Sequence, residues 1–146
     1  TSVGMSAFHL DTCFTPLFPF GFGLSYAHFS YDNIRVSSSE LEIGQTLTIS
    51  ADLTNCGDVA ADEVAQLYVR DLVGNVTRPV RELKGFRRVR VEPGQTLTVE
   101  FKLRAEDLAF YGRDNTLIIE PGDFHVWIGG SSSCDLRNEF CLVAAV

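Results

Sequence analysis

Carboxylates such as Asp58, Asp62, Glu106, Asp107, Asp114, Glu120 and Asp123, with the histidines His9, His28 and His125, are the side chains here that could move protons or attack a bond. Acid/base chemistry needs two such groups converging on one reacting centre. These carboxylates instead fall at turn sequences such as Asn55-Cys56-Gly57-Asp58, where an Asp side chain hydrogen-bonds its own backbone, and turn chemistry accounts for each of them. The histidines are scattered over different segments, with no GxSxG motif beside them. No catalytic residue is assigned. The four cysteines, Cys13, Cys56, Cys134 and Cys141, lack the CxxC spacing of zinc ligands, so neither a metal nor any other cofactor is expected. If all four are bridged they allow three pairings, and their spacing does not separate bridges from thiols. Asn75-Val76-Thr77 is a glycosylation sequon only in a eukaryotic secretory protein, and a polar loop otherwise.

Recognition chemistry is a second possibility. Trp127, Tyr68 and Tyr111 combine a flat apolar face with a polar tip, the combination that suits a sugar ring. Packing competes with display: covering Trp127 buries up to ~200 Å², worth ~5 kcal/mol as an upper bound, so core or interface is favoured for it. The run Pro16 to Tyr26, PLFPFGFGLSY, sets Leu17, Phe18, Phe20, Phe22, Leu24 and Tyr26 around Pro19, Gly21 and Gly23. Proline removes a ladder donor and glycine weakens helix and strand alike, so this run predicts an irregular, extended path. Burying one Phe is worth roughly 1.5–3 kcal/mol, so something must cover it, either the rest of the chain or a surface the chain does not contain.

The elements that would position these residues are strands. Leu47, Ile49, Ala51 and Leu53 alternate with Thr46, Thr48, Ser50 and Asp52, and Ala65, Leu67 and Val69 with Gln66, Tyr68 and Arg70. The same period of two runs through Leu97, Val99, Phe101 and Leu103, then through Phe124, Val126 and Ile128. Glu92-Pro93-Gly94, Glu120-Pro121-Gly122 and Gly129-Gly130-Ser131 punctuate them as turns, and only Ala105 to Phe110 could form a helical turn. Short, regularly punctuated strands predict an all-β, antiparallel sandwich. The 146 residues, 45% hydrophobic, suffice for one domain with its own core. A net charge of −7, with no basic cluster beyond Arg87, Arg88 and Arg90, disfavours nucleic-acid binding. No apolar run approaches the ~20 residues of a membrane span, and TSVGMSAFHLD lacks the features of an export signal.

Several motifs occur in order: PLFPFGFGLSY, DLTNCGDVAADEVAQLYVRD, VTRPVRELKGFRRV, VEPGQTLTVEF, EDLAFYGRD and EPGDFHVWIGGSS. Together they closely resemble the carboxy-terminal fibronectin type III-like domain of glycoside hydrolase family 3, from about Thr15 to the end. The resemblance implies a fibronectin type III-like, immunoglobulin-like β-sandwich over residues 27–146. Residues 1–26 become a linker from a preceding α/β-sandwich domain. In such enzymes the linker lies against the catalytic body, so Phe18, Phe20, Phe22, Leu24 and Tyr26 become expected interdomain contacts. The loop around Arg78 approaches the same body, and Arg78 is the expected polar contact there, with a solvated loop as the alternative.

Family members are retaining glycosidases. Their aspartate nucleophile lies in an amino-terminal barrel and their acid/base glutamate commonly in the α/β domain, and neither segment is present here. The chain is therefore expected to be a non-catalytic accessory domain that stabilises a parent of β-glucosidase type, with β-xylosides as the other substrate class. A carbohydrate- or polymer-binding module is the alternative. A secreted or periplasmic parent is compatible with the resemblance, though no signal peptide is visible. Without the catalytic domains, self-association through the apolar linker is expected.

Overall fold

The computed structural model describes residues 16–144. Among the described residues ten strands follow one another: β1 (Phe29–Val36), β2 (Glu40–Glu42), β3 (Thr46–Asn55), β4 (Ala61–Asp71), β5 (Glu82–Val91), β6 (Thr96–Arg104), β7 (Phe110–Tyr111), β8 (Leu117–Ile118), β9 (Gly122–Gly129) and β10 (Arg137–Val143). A 3-10 turn, Ala105–Leu108, falls where a helical turn was expected. The order β1-β3-β6 makes one sheet, β2-β10-β9-β4-β5 the second, and β7-β8 a small separate ribbon.

The period of two explains the core. In β3 every second residue is buried, and β3 pairs with β6 without a break from Thr46↔Arg104 to Thr54↔Thr96. Leu47, Ile49 and Leu53 thereby share an inner face with Val99, Phe101 and Leu103. Leu67, Val69, Val126, Ile128, Phe140 and Leu142 of the larger sheet close over them, forming the antiparallel sandwich the alternation implied. Asn55, fully buried at the end of β3, locks two turns. Its Nδ2 donates to the carbonyls of Val59 (2.9 Å) and Val91 (3.0 Å), while its Oδ1 accepts from the Gly57 amide (2.9 Å).

The structure adds features that alternation does not supply. The three-residue β2 leaves the sheet of its chain neighbours β1 and β3 and pairs parallel to β10, Cys141↔Glu40 to Val143↔Glu42. Gly122, expected in a turn, is the first residue of β9. In β4 the outward Gln66 and Tyr68 are as buried as the inward Ala65, Leu67 and Val69, so something covers the outer face of the five-stranded sheet. A register irregularity between Leu67 and Tyr68, opposite Leu83 to Gly85, adjusts β5 on that face.

Candidate functional site

The cover is the backbone of the Pro16–Tyr26 run. Pro19 to Phe22 form a turn closed by the Phe22 amide on the Pro19 carbonyl (3.0 Å), and Gly21 at its third position has φ +78°. A Cβ at residue 21 would stand 2.7 Å from Tyr68 Oη and nearer still to Gln66 Oε1, so only glycine fits this close approach. The sheet then holds the turn by polar contacts. Gln66 Nε2 donates to the carbonyls of Gly21 (3.1 Å) and Gly130 (2.6 Å), and the Ser132 amide donates to the Phe20 carbonyl (2.8 Å). The Tyr68 hydroxyl donates to Gln66 Oε1 and also lies 3.4 Å from the Phe20 carbonyl.

With its peptide groups turned to the sheet, the run presents its side chains outward. Phe18, Phe20 and Phe22 are 65, 67 and 47% exposed, and Leu17, Leu24 and Tyr26 almost fully so. Phe18 and Phe22 stack on each other with ring centroids 5.3 Å apart. The irregular path expected from Pro19 and the glycines is present, and the rest of the described chain does not cover the aromatics. The first buried residue after the run is Ala27, two positions before β1.

The sugar-stacking candidates are dispersed. Tyr68 is 1% exposed under the Gly21 turn. Trp127 is 6% exposed, with the Arg81 guanidinium 4.4 Å above its ring and His125 edge-on at 5.7 Å. Arg81 is held there by the carbonyls of Cys134 (2.6 Å) and Ser132. Neither ring offers a free face for sugar stacking, and Trp127 takes the packing favoured for it over display, because covering a large aromatic is worth more than displaying it. Tyr111 remains exposed on the β7-β8 ribbon, opposite Leu117.

Arg78 is not the solvated residue of the alternative reading, since its side chain is largely buried within its own domain. Its guanidinium packs 4.3 Å over the Phe110 ring, Nη2 donates to Glu82 Oε2 (3.1 Å), and Nη1 sits 3.8 Å from Asp71 Oδ2, beyond hydrogen-bonding distance. Two carboxylates of its own domain have drawn it inward. Burial by itself would raise the Glu82 carboxyl, but Lys84 (2.6 Å) and Arg78 hold it below its ordinary value.

Several of the remaining reactive groups are engaged with neighbours in the fold. Asp62 pairs with Arg88, Asp107 with Arg104, Asp114 accepts from Thr116, and Glu120 accepts from Asn75 of the sequon. Glu63 accepts from the Tyr31 hydroxyl at 2.8 Å, and burial together with Glu63 pushes that phenol far above its usual range. Cys56, Cys134 and Cys141 are free thiols, and burial pushes the Cys134 thiol up. Cys13 and His9 lie outside the described residues. Among the described residues no three His, Cys, Asp or Glu side chains gather as a metal site, and no helix is long and apolar enough to cross a membrane.

Sequence reasoning missed the neighbours of the apolar run. Phe86 on β5 is 70% exposed, Val80 68% and Val64 40%, and all three edge the same covered face. The signal was Phe86 standing before Arg87 and Arg88 in a strand, an apolar residue at an outward position. A groove of about 690 Å³ runs between Phe20 and Phe86, and a second of about 520 Å³ between Phe20 and Val80.

Known proteins share this architecture. The family model of the fibronectin type III-like domain matches residues 63–132. A beta-xylosidase of Formosa agariphila is 45% identical over 121 residues, 83% of this chain and 17% of that protein. A beta-glucosidase of Bacteroides ovatus is 40% identical over 124 residues, covering 84% and 16% respectively. Among solved structures, a β-glucosidase of Erythrobacter marinus superposes with TM-score 0.86 at 35% identity, over 92% of this chain and 18% of that one. The β-glucosidase of Listeria innocua in complex with glucose gives 0.84 at 34%, over 94% and 19%. The chain thus spans less than a fifth of the length of these relatives. With a sandwich of this topology and matches of this extent, the chain belongs to the fibronectin type III-like domains of family 3 glycoside hydrolases.

Proposed function

We propose that this chain is the non-catalytic accessory domain of a retaining glycosidase of β-glucosidase type, and that it stabilises the catalytic domains by packing against them. One observation carries the reading: an uncharged run with six large apolar side chains is fastened to the sheet by its backbone and holds those side chains in water. An exposed apolar patch of this kind marks an interaction surface. Phe18, Phe20, Phe22, Leu24 and Tyr26 are the contacts, and residues 1–26 are the connection to the rest of the enzyme. The carboxylates are scattered, with Asp62 tied to Arg88, Asp107 to Arg104 and Asp114 to Thr116, which supports the absence of a hydrolytic site from this domain. The solved β-glucosidases favour a β-glucoside-cleaving parent, and the beta-xylosidase relatives make β-xylosides the competing substrate class.

The reading is tested by replacing Phe18, Phe20 and Phe22 together with Ser in the full-length enzyme and in the 146-residue chain. Losing three docking phenylalanines removes on the order of several kcal/mol of interdomain stabilisation. The full-length variant is expected to melt several degrees lower and to lose activity, while the 146-residue chain melts as before. An unaltered full-length enzyme would refute the docking role.

A further inference from the structure

The apolar run is one wall of a larger feature. Phe20 stands between two open grooves, and Leu83 of β5 lines both. Beyond the first groove rises Phe86, 70% exposed, with Val64 beside it on β4, and beyond the second lies Val80, 68% exposed. Phe86 is not stranded by a frayed edge. It pairs in register with Gln66, the side chain that holds the Gly21 carbonyl, so the far wall and the near wall are both fixed to β4. The φ of Gly21 and the tight approach of its α-carbon to Gln66 and Tyr68 set the spacing between them.

We infer that the two grooves flanking Phe20 receive apolar side chains from the catalytic body of the parent enzyme, and that Phe86 and Val80 belong to the interface along with the apolar run. The inference rests on the docking role proposed above and extends it from a linker to a shaped, two-groove surface. The catalytic body is the occupant because over four-fifths of the length of the relatives lies outside the region this chain matches, enough to carry a broad complementary surface. The face is also continuous with the run that leads toward that body. Grooves whose walls are already held in place cost little ordering on docking, so apolar contacts made there are retained as affinity.

The test compares Phe86→Asp, Val80→Asp and the Phe18/Phe20/Phe22→Ser triple variant in the full-length enzyme, with Phe86→Leu as the conservative control and the 146-residue chain as the folding control. Phe86→Asp is expected to speed thermal inactivation of the full-length enzyme on the order of tenfold, Val80→Asp somewhat less, and Phe86→Leu hardly at all. Because Phe86 is exposed in the domain itself, the 146-residue chain carrying Phe86→Asp keeps its melting temperature. If the triple variant destabilises the full-length enzyme while Phe86→Asp and Val80→Asp do not, the two-groove inference fails and linker docking stands. If none of the three has an effect, the docking role itself fails. Light scattering distinguishes the remaining occupant: a dimer of the 146-residue chain abolished by Phe86→Asp, with the full-length enzyme indifferent to that change, would assign the grooves to a second copy and overturn the inference.

Discussion

The two outer faces of the sandwich are finished in opposite ways. On the three-stranded sheet, Thr48, Ser50, Asp52 and Thr54 of β3 lie beside Thr96, Thr98, Glu100 and Lys102 of β6, and they satisfy one another. Asp52 accepts from Arg35 (2.7 and 3.0 Å), Asn33 (3.1 Å) and Thr98 (3.0 Å), while Thr54 and Thr96 share a hydrogen bond of 2.8 Å. That face is complete in water. On the five-stranded sheet the outward positions between the charged Asp62, Arg88 and Arg90 at one end and Arg70 at the other include Val64, Gln66, Tyr68, Phe86 and Trp127, and Gln66 and Tyr68 are roofed by a run whose own side chains are left exposed. A sheet face becomes an interface when its outward residues are apolar and its cover passes the apolar surface onward instead of ending it.

Trp127→Ala attacks the roofed face most directly and is expected to have the largest effect. It removes a buried indole and leaves Arg81 without its ring, costing about 3–5 kcal/mol of stability, which denaturant unfolding of the 146-residue chain would register. A loss below about 1 kcal/mol would mean that Trp127 is less well packed than its burial indicates. Gly21→Ala is the middle case. The new Cβ meets Gln66 and Tyr68 and the backbone is strained at φ +78°, so about 1–3 kcal/mol should be lost from the docked run. Limited proteolysis should then cut between Pro16 and Tyr26 much faster while leaving the strands intact. Unchanged cleavage would show that the clamp does not hold the run.

Asp52→Asn, on the solvated face, should produce the smallest change. Hydrogen bonds from Arg35, then Asn33 and Thr98, hold the Asp52 carboxyl below its ordinary range, so its contribution is present in full above the unfolded carboxylate value of about 3.9. It fades as pH falls from there and is gone below the lowered folded value. The wild type should therefore melt slightly above the variant at neutral pH, by a margin that closes in acid and shrinks with added salt. A difference that persists at acid pH would point to packing rather than charge.

Much of the fold was legible in the residues themselves. The alternation in β3, β4, β6 and β9 determined which side chains face inward, because side chains on a strand alternate and one face must leave water. Pro19, Gly21 and Gly23 determined that the apolar run would be neither helix nor strand, and the ordered motifs determined the family. Alternation says only that a residue points outward. It does not say what lies there, so Tyr68, Trp127 and Phe86 read alike in the sequence and end with three different fates. The Gly21 turn covers Tyr68, Arg81 caps Trp127, and Phe86 is left bare. Arg78 read as a loop cation until Asp71, Glu82 and Phe110, brought together from three strands, turned it inward. Tertiary structure alone decided these outcomes, because each depends on contacts between segments far apart in the chain, such as residue 21 with residue 66 and residue 81 with residue 127.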